Sequence, residues 1–298
     1  MATILIGGGS GFVGGFLSQA LAEQGHEVLH LSRKARPDAP YKTYRWDVAT
    51  GTIDEAAVTR ADYIFNLAGA GIADQRWTPK RKQLIISSRT ESTRLIAKTL
   101  QQTGHRPKQY LSASAIGFYG DRGEEAVDEN SPAGTGFLAE STQAWEESVE
   151  SIKALGIPTF INRTGIVLHP SGGAMEKMVL PLNFFTSTYF GDGQQWYSWI
   201  HMDDIVGIFC YAMEHQLTGV YNGVAPHPVR NKTLAAELPK AKGRFAAVLP
   251  APAFTLKTVF GEMSATILGS SKVSAAKIID AGYTFKFPTL PAALKDLL

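Results

Sequence analysis

Cysteine is almost missing from this chain. Its 298 residues include one, Cys210, so no intramolecular disulfide can form. Cys210 lies in the apolar run IVGIFCYAM, the setting of a core residue rather than of a nucleophile. Such sparing use suits a reducing compartment, and cytoplasmic placement is expected. Long hydrophobic runs are missing too: none approaches the roughly 18 residues of a membrane span. Charge of one sign is not in excess: Lys and Arg number 29, Asp and Glu 27, for a net charge of +2. No basic run exceeds a few residues, so bulk electrostatics makes no case for a nucleic-acid or membrane partner. No His/Cys/Asp grouping has ligand spacing, so no metal is expected. There is no internal repeat and no low-complexity tract, and no signal or transit segment is expected ahead of the first strand. What is present is a globular composition, 44% hydrophobic and 19% charged. The length suits one large domain or a domain with an added lobe.

The informative stretch is Thr3 to Gly15, TILIGGGSGFVGG. Thr3–Ile6 is a short β-rich apolar run. A glycine-rich turn follows, and from Phe12 and Val13 onward the chain has helical spacing, with Val13, Leu17, Ala20 and Leu21 on one face. Gly25 ends that helix, and His26–Leu31 reads as a second strand. Strand, glycine-rich turn, helix, strand is the unit that binds dinucleotides. Gly8, Gly11 and Gly14 give the spacing G-x-x-G-x-x-G. Glycine is needed there for a tight turn, for close approach of a pyrophosphate and for packing the helix on the strand. The helix N-terminus offers free N–H groups and partial positive charge to the phosphates. A glycine cluster can also be no more than a turn; here both flanks fit.

The end of the second strand discriminates between cofactors. An acidic residue there would bind the ribose 2′-OH of NAD. Ser32, Arg33 and Lys34 stand there instead. A hydroxyl and a guanidinium bind a 2′-phosphate that a carboxylate would repel, which favours NADP(H). The bland alternative is a solvated basic pair at a strand end.

A polar, Pro-containing loop follows Arg33. Tyr41–Trp46 reads as a third strand ending at Asp47, which is either beside the adenine or in a surface turn. Asp54–Arg60 is a short helix. Asp62–Gly69 is a fourth strand whose small residues leave room for a cofactor against Leu67, Ala68 and Gly69. Pro79–Gln102 is a long helix with Leu84, Ile85, Ser88, Ser92, Leu95, Ile96 and Thr99 on its stripe and Arg89 near its middle. Gln109–Ala113 is a fifth strand, 121–136 an acidic Gly/Pro-rich loop over the site, and Gly136–Leu155 a helix burying Trp145, Val149 and Ile152. Ile157–Arg163 is a sixth strand. Repeated βα units predict an α/β fold: a doubly wound parallel Rossmann sheet with right-handed crossovers. The nucleotide-binding domain is expected over 1–170, with strands and a helix from about 199–225 contributing. A smaller α+β substrate lobe is expected over 171–298. It has no further glycine-rich βα turn and should cap the strand ends.

GGGSGFVG, NLAG (66–69), SASAIGFYG (112–120) and GDGQQWYSWIHMDD (191–204) resemble the extended short-chain dehydrogenases, which include nucleotide-sugar epimerases. RTGIVL (163–168), SWIHMDD (198–204), NGVAP (222–226) and GYTFKFPTL are similar to one atypical "epimerase family" branch, sometimes called YfcH-like or cell-division-inhibitor homologues. The likeness runs over nearly the whole chain. It implies a Rossmann fold, NADP(H) and a small C-terminal domain. It also implies Gly8, Gly11 and Gly14 on the phosphates and Ser32 and Arg33 on the 2′-phosphate. Leu67, Ala68 and Arg89 would lie along adenosine and ribose, and Val167 on the nicotinamide side. Relatives pair through helices of the fourth and fifth crossovers, so a homodimer is one arrangement it implies.

The superfamily's proton relay needs Tyr-x-x-x-Lys on one helix and a nearby Ser or Thr. Ser114 fits the serine. Phe137 and Ser141 occupy the tyrosine and lysine positions, and neither can serve. Tyr197 replaces the arginine that pairs with a nucleotide-sugar diphosphate. Tyr119, Glu140 and His201 are the nearest titratable substitutes, each also readily structural. Asp203 and Asp204 suit a helix N-terminus. Two readings stand: an NADP-dependent oxidoreductase or epimerase with a nonstandard proton donor and a small, partly apolar substrate, or an NADP(H)-binding regulator with little catalysis.

Overall fold

A computed structural model describes residues 1–34 and 38–298; the loop expected after Arg33 falls partly outside them. The first half alternates strands and helices: β1 (Thr3–Gly7), α1 (Phe12–Glu23), β2 (Glu27–Ser32), β3 (Lys42–Asp47), β4 (Thr52–Ile53), α2 (Glu55–Thr59), β5 (Tyr63–Asn66), α3 (Pro79–Thr103) and β6 (Gln109–Ala115). Then come a 3₁₀ turn (Ile116–Tyr119), β7 (Ala126–Val127), α4 (Phe137–Lys153), β8 (Thr159–Thr164) and β9 (Ile166–Leu168). The rest is α5 (Gly173–Val179), a 3₁₀ turn (Leu180–Phe184), β10 (Thr186–Phe190), β11 (Trp196–Tyr197), β12 (Trp199–His201), α6 (Met202–Glu214), β13 (Gly219–Gly223), β14 (Val229–Arg230) and α7 (Asn231–Ala241). It ends with β15 (Ala247–Ala251), α8 (Ala253–Phe260), a 3₁₀ turn (Gly261–Ser264), α9 (Ala265–Leu268), β16 (Lys272–Val273), α10 (Ala276–Asp280) and α11 (Leu290–Leu297).

Eight strands form the central sheet in the order β13-β8-β6-β5-β1-β2-β3-β4. All neighbours run parallel except β3 and β4. A parallel sheet covered on both faces needs continuous apolar strands, and Ile4, Leu5 and Ile6 are accordingly all buried. One face packs Leu17 and Leu21 of α1 with Ile205, Ile208 and Phe209 of α6. The other packs Leu29, Leu31 and Ile64 against Leu95 and Ile96 of α3 and Val149 and Ile152 of α4. Leu84 does not share that stripe; it is exposed.

The chain returns to this sheet after leaving it. α6 lies against α1, and β13 pairs with β8, so residues beyond 200 complete the first fold. α6 starts at Met202, capped by His201, whose Nδ1 accepts from Asp203 N; Asp203 and Asp204 lie in its first turn, where carboxylates are favoured. The remaining C-terminal segments form small paired strands and helices over a third core of Leu168, Trp199, Leu234, Leu238, Leu290 and Leu294. Strand order reverses on either side of β1, the place where doubly wound folds bind ligands.

Candidate cofactor cradle and capped cleft

The β1–α1 turn is shaped by its glycines. Gly8 has φ +80°, and a Cβ on it would stand 2.8 Å from the carbonyl of Leu67. A Cβ on Gly14 would overlap the Gly8 carbonyl oxygen and lie 2.9 Å from Gly9 Cα. Gly11 N donates to Gly8 O at 2.9 Å, closing the turn. α1 begins with no side-chain cap and no acidic residue in its first turn. The N–H groups at Phe12 and Val13 and the dipole therefore remain available to an anion. A small cavity of about 440 Å³ opens there between Ser10–Phe12 and Ser171–Gly173. A dinucleotide pyrophosphate fits this cradle.

Ser32 ends β2 half-buried, with Arg33 and Lys34 exposed beyond it. Parallel register sets Arg45 of β3 opposite Ser32. Tyr44 and Trp46, its neighbours in β3, face the α3 core, so Arg45 shares the opposite sheet face with Ser32. Arg45 is exposed and makes no ion pair among the described residues. Sequence reading missed it, because register decides which residue of β3 meets the end of β2.

At the end of β5, Leu67 N donates to Gly7 O at 2.8 Å, and Asn66 anchors the turn through Ser92, Thr93 and Tyr110. Gly69 leaves space for Arg89, whose guanidinium carbon would lie 2.8 Å from a Cβ there. Arg89 Nη1 donates to Ala70 O and Ile85 O, and the guanidinium sits 4.9 Å from the centre of the Trp145 ring. Burial, with a smaller push from Arg81, lowers its pKa to about 10.

Arg89 also lines a cleft of about 1170 Å³ between the strand ends and the C-terminal lobe. Aromatic walls come from Trp77, Phe137, Trp145, Phe190, Trp196 and Tyr197; Ser141, Thr142, Thr164, Gln195 and Ser198 supply polar points. The acidic loop 121–136 closes over one side. Glu124 grips Arg230 through both guanidinium nitrogens at 2.7 Å and accepts from Trp196 Nε1 at 3.0 Å. Those donors hold its carboxyl down at about 2. β7 pairs with β16, tying the same loop to the C-terminal lobe.

The candidate catalytic residues Ser114, Tyr119 and Glu140 are not among the residues that line this cleft. Ser114 Oγ donates to Glu146 Oε1 at 2.6 Å. Glu146 in turn holds Arg163 by two bonds of 2.8 Å, a buried bidentate pair. Tyr119 is 0% exposed; Arg163 Nη1 donates to its hydroxyl, which donates to Asn222 Oδ1 at 2.7 Å. Burial raises its pKa. Ile116–Tyr119 wind into a 3₁₀ turn that carries the tyrosine inward. Glu140 is exposed on α4, while Leu138, Ser141 and Thr142 of the same helix face the cleft. Thus Ser114 and Tyr119, expected near a substrate, are bonded to buried partners beside the cleft, and Glu140 is exposed. His201 is buried against Phe287, its Nε2 3.3 Å from Asp296 Oδ2 without hydrogen-bond alignment. Val167 packs into the core beside β12, and its neighbour Ile166 lines the cleft instead. Phe137 is packed edge-on against Trp77 at 4.7 Å, and Ser141 Oγ donates to Leu138 O. Tyr197 donates to Ile267 O, and burial raises its pKa far above the ordinary phenol range. Cys210 is buried, its thiol pushed up to about 12. Among the described residues no His/Cys/Asp/Glu group could hold a metal, and no helix is long and apolar enough to cross a membrane.

Sheet order, glycine turn and capped cleft together define a Rossmann-type dinucleotide-binding protein of the short-chain dehydrogenase kind. The model of the NAD dependent epimerase/dehydratase family matches residues 4–223, and a domain of unknown function, DUF1731, matches 251–297. The chain belongs to that epimerase/dehydratase family. It is 36% identical over 298 residues to the Bacillus subtilis epimerase family protein YfhF, covering 99% of this chain and 97% of that one. It is 34% identical over 300 residues to human epimerase family protein SDR39U1, covering 99% of both. The crystal structure of human SDR39U1 isoform 2 with NADPH superposes with a TM-score of 0.87 at 33% identity, over 99% of this chain and 98% of that one. A Thermus thermophilus UDP-glucose 4-epimerase shares the fold at 19% identity, TM-score 0.76, over 99% and 97% of the two chains.

Proposed function

We propose that this chain binds NADP(H) and acts as an oxidoreductase or epimerase on a small, partly apolar substrate held in the capped cleft. The observation that carries the cofactor assignment is the pairing of the Gly8–Gly14 cradle with a basic, carboxylate-free end of β2. In this reading the backbone at Gly11, Phe12 and Val13 holds the pyrophosphate. Ser32, Arg33 and Arg45 hold the 2′-phosphate, and Leu67, Ala68, Gly69 and Arg89 flank the adenosine and ribose. Val167 lies behind the nicotinamide side. The crystallised relative with NADPH supports the same choice. Bound cofactor would supply hydride chemistry; the chain's part is to orient the ligand and exclude water. Titration should find NADPH bound more tightly than NADH. Each charge-assisted contact to the 2′-phosphate is worth about 1.5–3 kcal/mol, so Arg33→Glu and Arg45→Ala should each weaken NADPH by roughly tenfold or more and leave NADH unchanged. Tighter binding of NADH by the wild type would overturn the assignment.

A second reading, an NADP(H)-binding regulator with little catalysis, is favoured by the relay itself. Phe137 and Ser141 replace its tyrosine and lysine, Ser114 and Tyr119 are engaged in buried hydrogen bonds, and Glu140 is exposed. NADPH oxidation driven by any of a panel of carbonyl compounds removes this reading; its absence across the panel removes the first.

A further inference from the structure

The exposed large apolar side chains concentrate in one part of the C-terminal lobe. Leu180, Phe184, Phe185, Phe245, Leu249 and Phe254 are 60, 74, 67, 84, 49 and 73% exposed. Phe185 ends its 3₁₀ turn at φ 55°, a left-handed conformation unusual for a bulky residue. Parallel pairing of β10 with β15 brings Phe184 and Phe185 beside the segment that carries Phe245: Ala247 N donates to Phe185 O at 2.9 Å, and Arg244 reaches Asn183 Oδ1 at 3.3 Å. Ser187 points inward and is buried, while Leu249 of the partner strand points out. Phe184, Phe185 and Phe245 at the joined start of the two strands present on the order of 400–500 Å² of apolar surface, with Leu180, Leu249 and Phe254 exposed along the same elements. The largest patch of an ordinary monomer is about 300–600 Å².

The rim of this face is basic. Lys177, Lys242, Arg244 and Lys257 have no ion pair among the described residues, against two such carboxylates, Glu176 and Asp192; Glu237 and Glu262 are taken by Lys240 and Lys82. The near-neutral net charge of the whole chain hides this asymmetry. An isologous dimer through this face would bring one set of unpaired cations against its own copy. Phenylalanines ringed by lysine and arginine match an anionic bilayer surface, apolar rings at the acyl boundary and cations on the headgroups.

We propose that this face docks the protein on an anionic membrane surface. Because Ala253 and Lys257 of α8 also line the cleft, docking sets the cap-side wall of the cleft beside the lipid. The inference stands on the patch and its rim and does not depend on the cofactor assignment.

The test is co-sedimentation of the full chain with phosphatidylcholine vesicles, with and without phosphatidylglycerol. The wild type should pellet with the anionic vesicles and weaken as salt rises. Phe184→Ser/Phe185→Ser/Phe245→Ser should reduce binding by about tenfold or more. Lys177→Glu/Arg244→Glu, which leaves the apolar face intact, should reduce it and flatten the salt dependence. Circular dichroism and thermal melting check that both variants fold. Failure to pellet with anionic vesicles, or equal binding to neutral ones, overturns the proposal. So does a concentration-dependent dimer in sedimentation velocity that the phenylalanine variant abolishes, which would give this face to a second copy.

Discussion

Two adjacent glycines in the first turns of α1 offer a sharp test of the cradle. Gly14 is buried, and a Cβ there would overlap the carbonyl oxygen of Gly8 and lie 2.9 Å from Gly9 Cα. Carbon–carbon contact is comfortable at about 3.5–4.0 Å, so the loop or the helix must shift. Backbone cannot rotate away as a side chain can. The cost should match overpacking elsewhere, about 1–3 kcal/mol. For a chain of this size Gly14→Ala should then lower Tm by roughly 2–5 °C. If the displaced loop is the one that holds phosphate, NADPH should also bind roughly ten- to a hundredfold more weakly. Gly15, one residue on, is the control: a Cβ there meets nothing within 4 Å. Gly15→Ala removes only a helix-interior glycine, worth about 0.5–1 kcal/mol, and should raise Tm by roughly 1–2 °C with NADPH affinity unchanged. Differential scanning fluorimetry and fluorescence titration read both effects. Wild-type melting and affinity in Gly14→Ala, or equal damage in Gly15→Ala, would refute the close-packed turn.

The buried pair of Glu146 and Arg163 predicts a different pattern: Glu146→Gln leaves an uncompensated guanidinium and should cost about 3–5 kcal/mol, while Glu146→Leu/Arg163→Met should recover much of the loss in chemical denaturation. Burial holds the His201 ring below its ordinary 6.5, against the opposing pull of Asp203, Asp296 and Asp204. The unfolded chain therefore takes up that proton first, so stability is full above about pH 6.5 and falls as pH drops below it. His201→Gln should show a shallower fall in Tm than the wild type between about pH 7.5 and 5.5; parallel curves would count against it. Cys210, buried with its thiol raised, should resist alkylation by iodoacetamide until the chain unfolds, which mass spectrometry can follow.

Local pattern carried most of the Rossmann half. Thr3–Ile6, the glycine spacing, Asp54 as a helix cap and the stripe of Ile85, Leu95 and Ile96 each follow from neighbours within one or two turns. Boundaries moved by one to three residues: α4 spans Phe137–Lys153 rather than Gly136–Leu155, and β5 stops at Asn66 rather than Gly69 because Asn66 turns the chain with its side chain. The catalytic candidates fared differently. Ser114, Tyr119 and Glu140 are close to the cleft along the chain, yet Ser114 is bonded to Glu146, the 3₁₀ turn Ile116–Tyr119 buries the tyrosine, and the 3.6-residue period of α4 leaves Glu140 exposed.

What the amino-acid order settled alone was the chemistry that needs only short range. That covers a turn requiring glycine, a strand end without a carboxylate, and a helix lacking the tyrosine and lysine of a proton relay. Tertiary structure decided everything set by register and long-range packing. It placed Arg45 opposite Ser32 and folded Glu146 and Arg163 into one buried network with Tyr119. It also brought Phe184 and Phe185 beside the segment that carries Phe245. Such neighbours are dozens of residues apart, and only the closed fold brings them together.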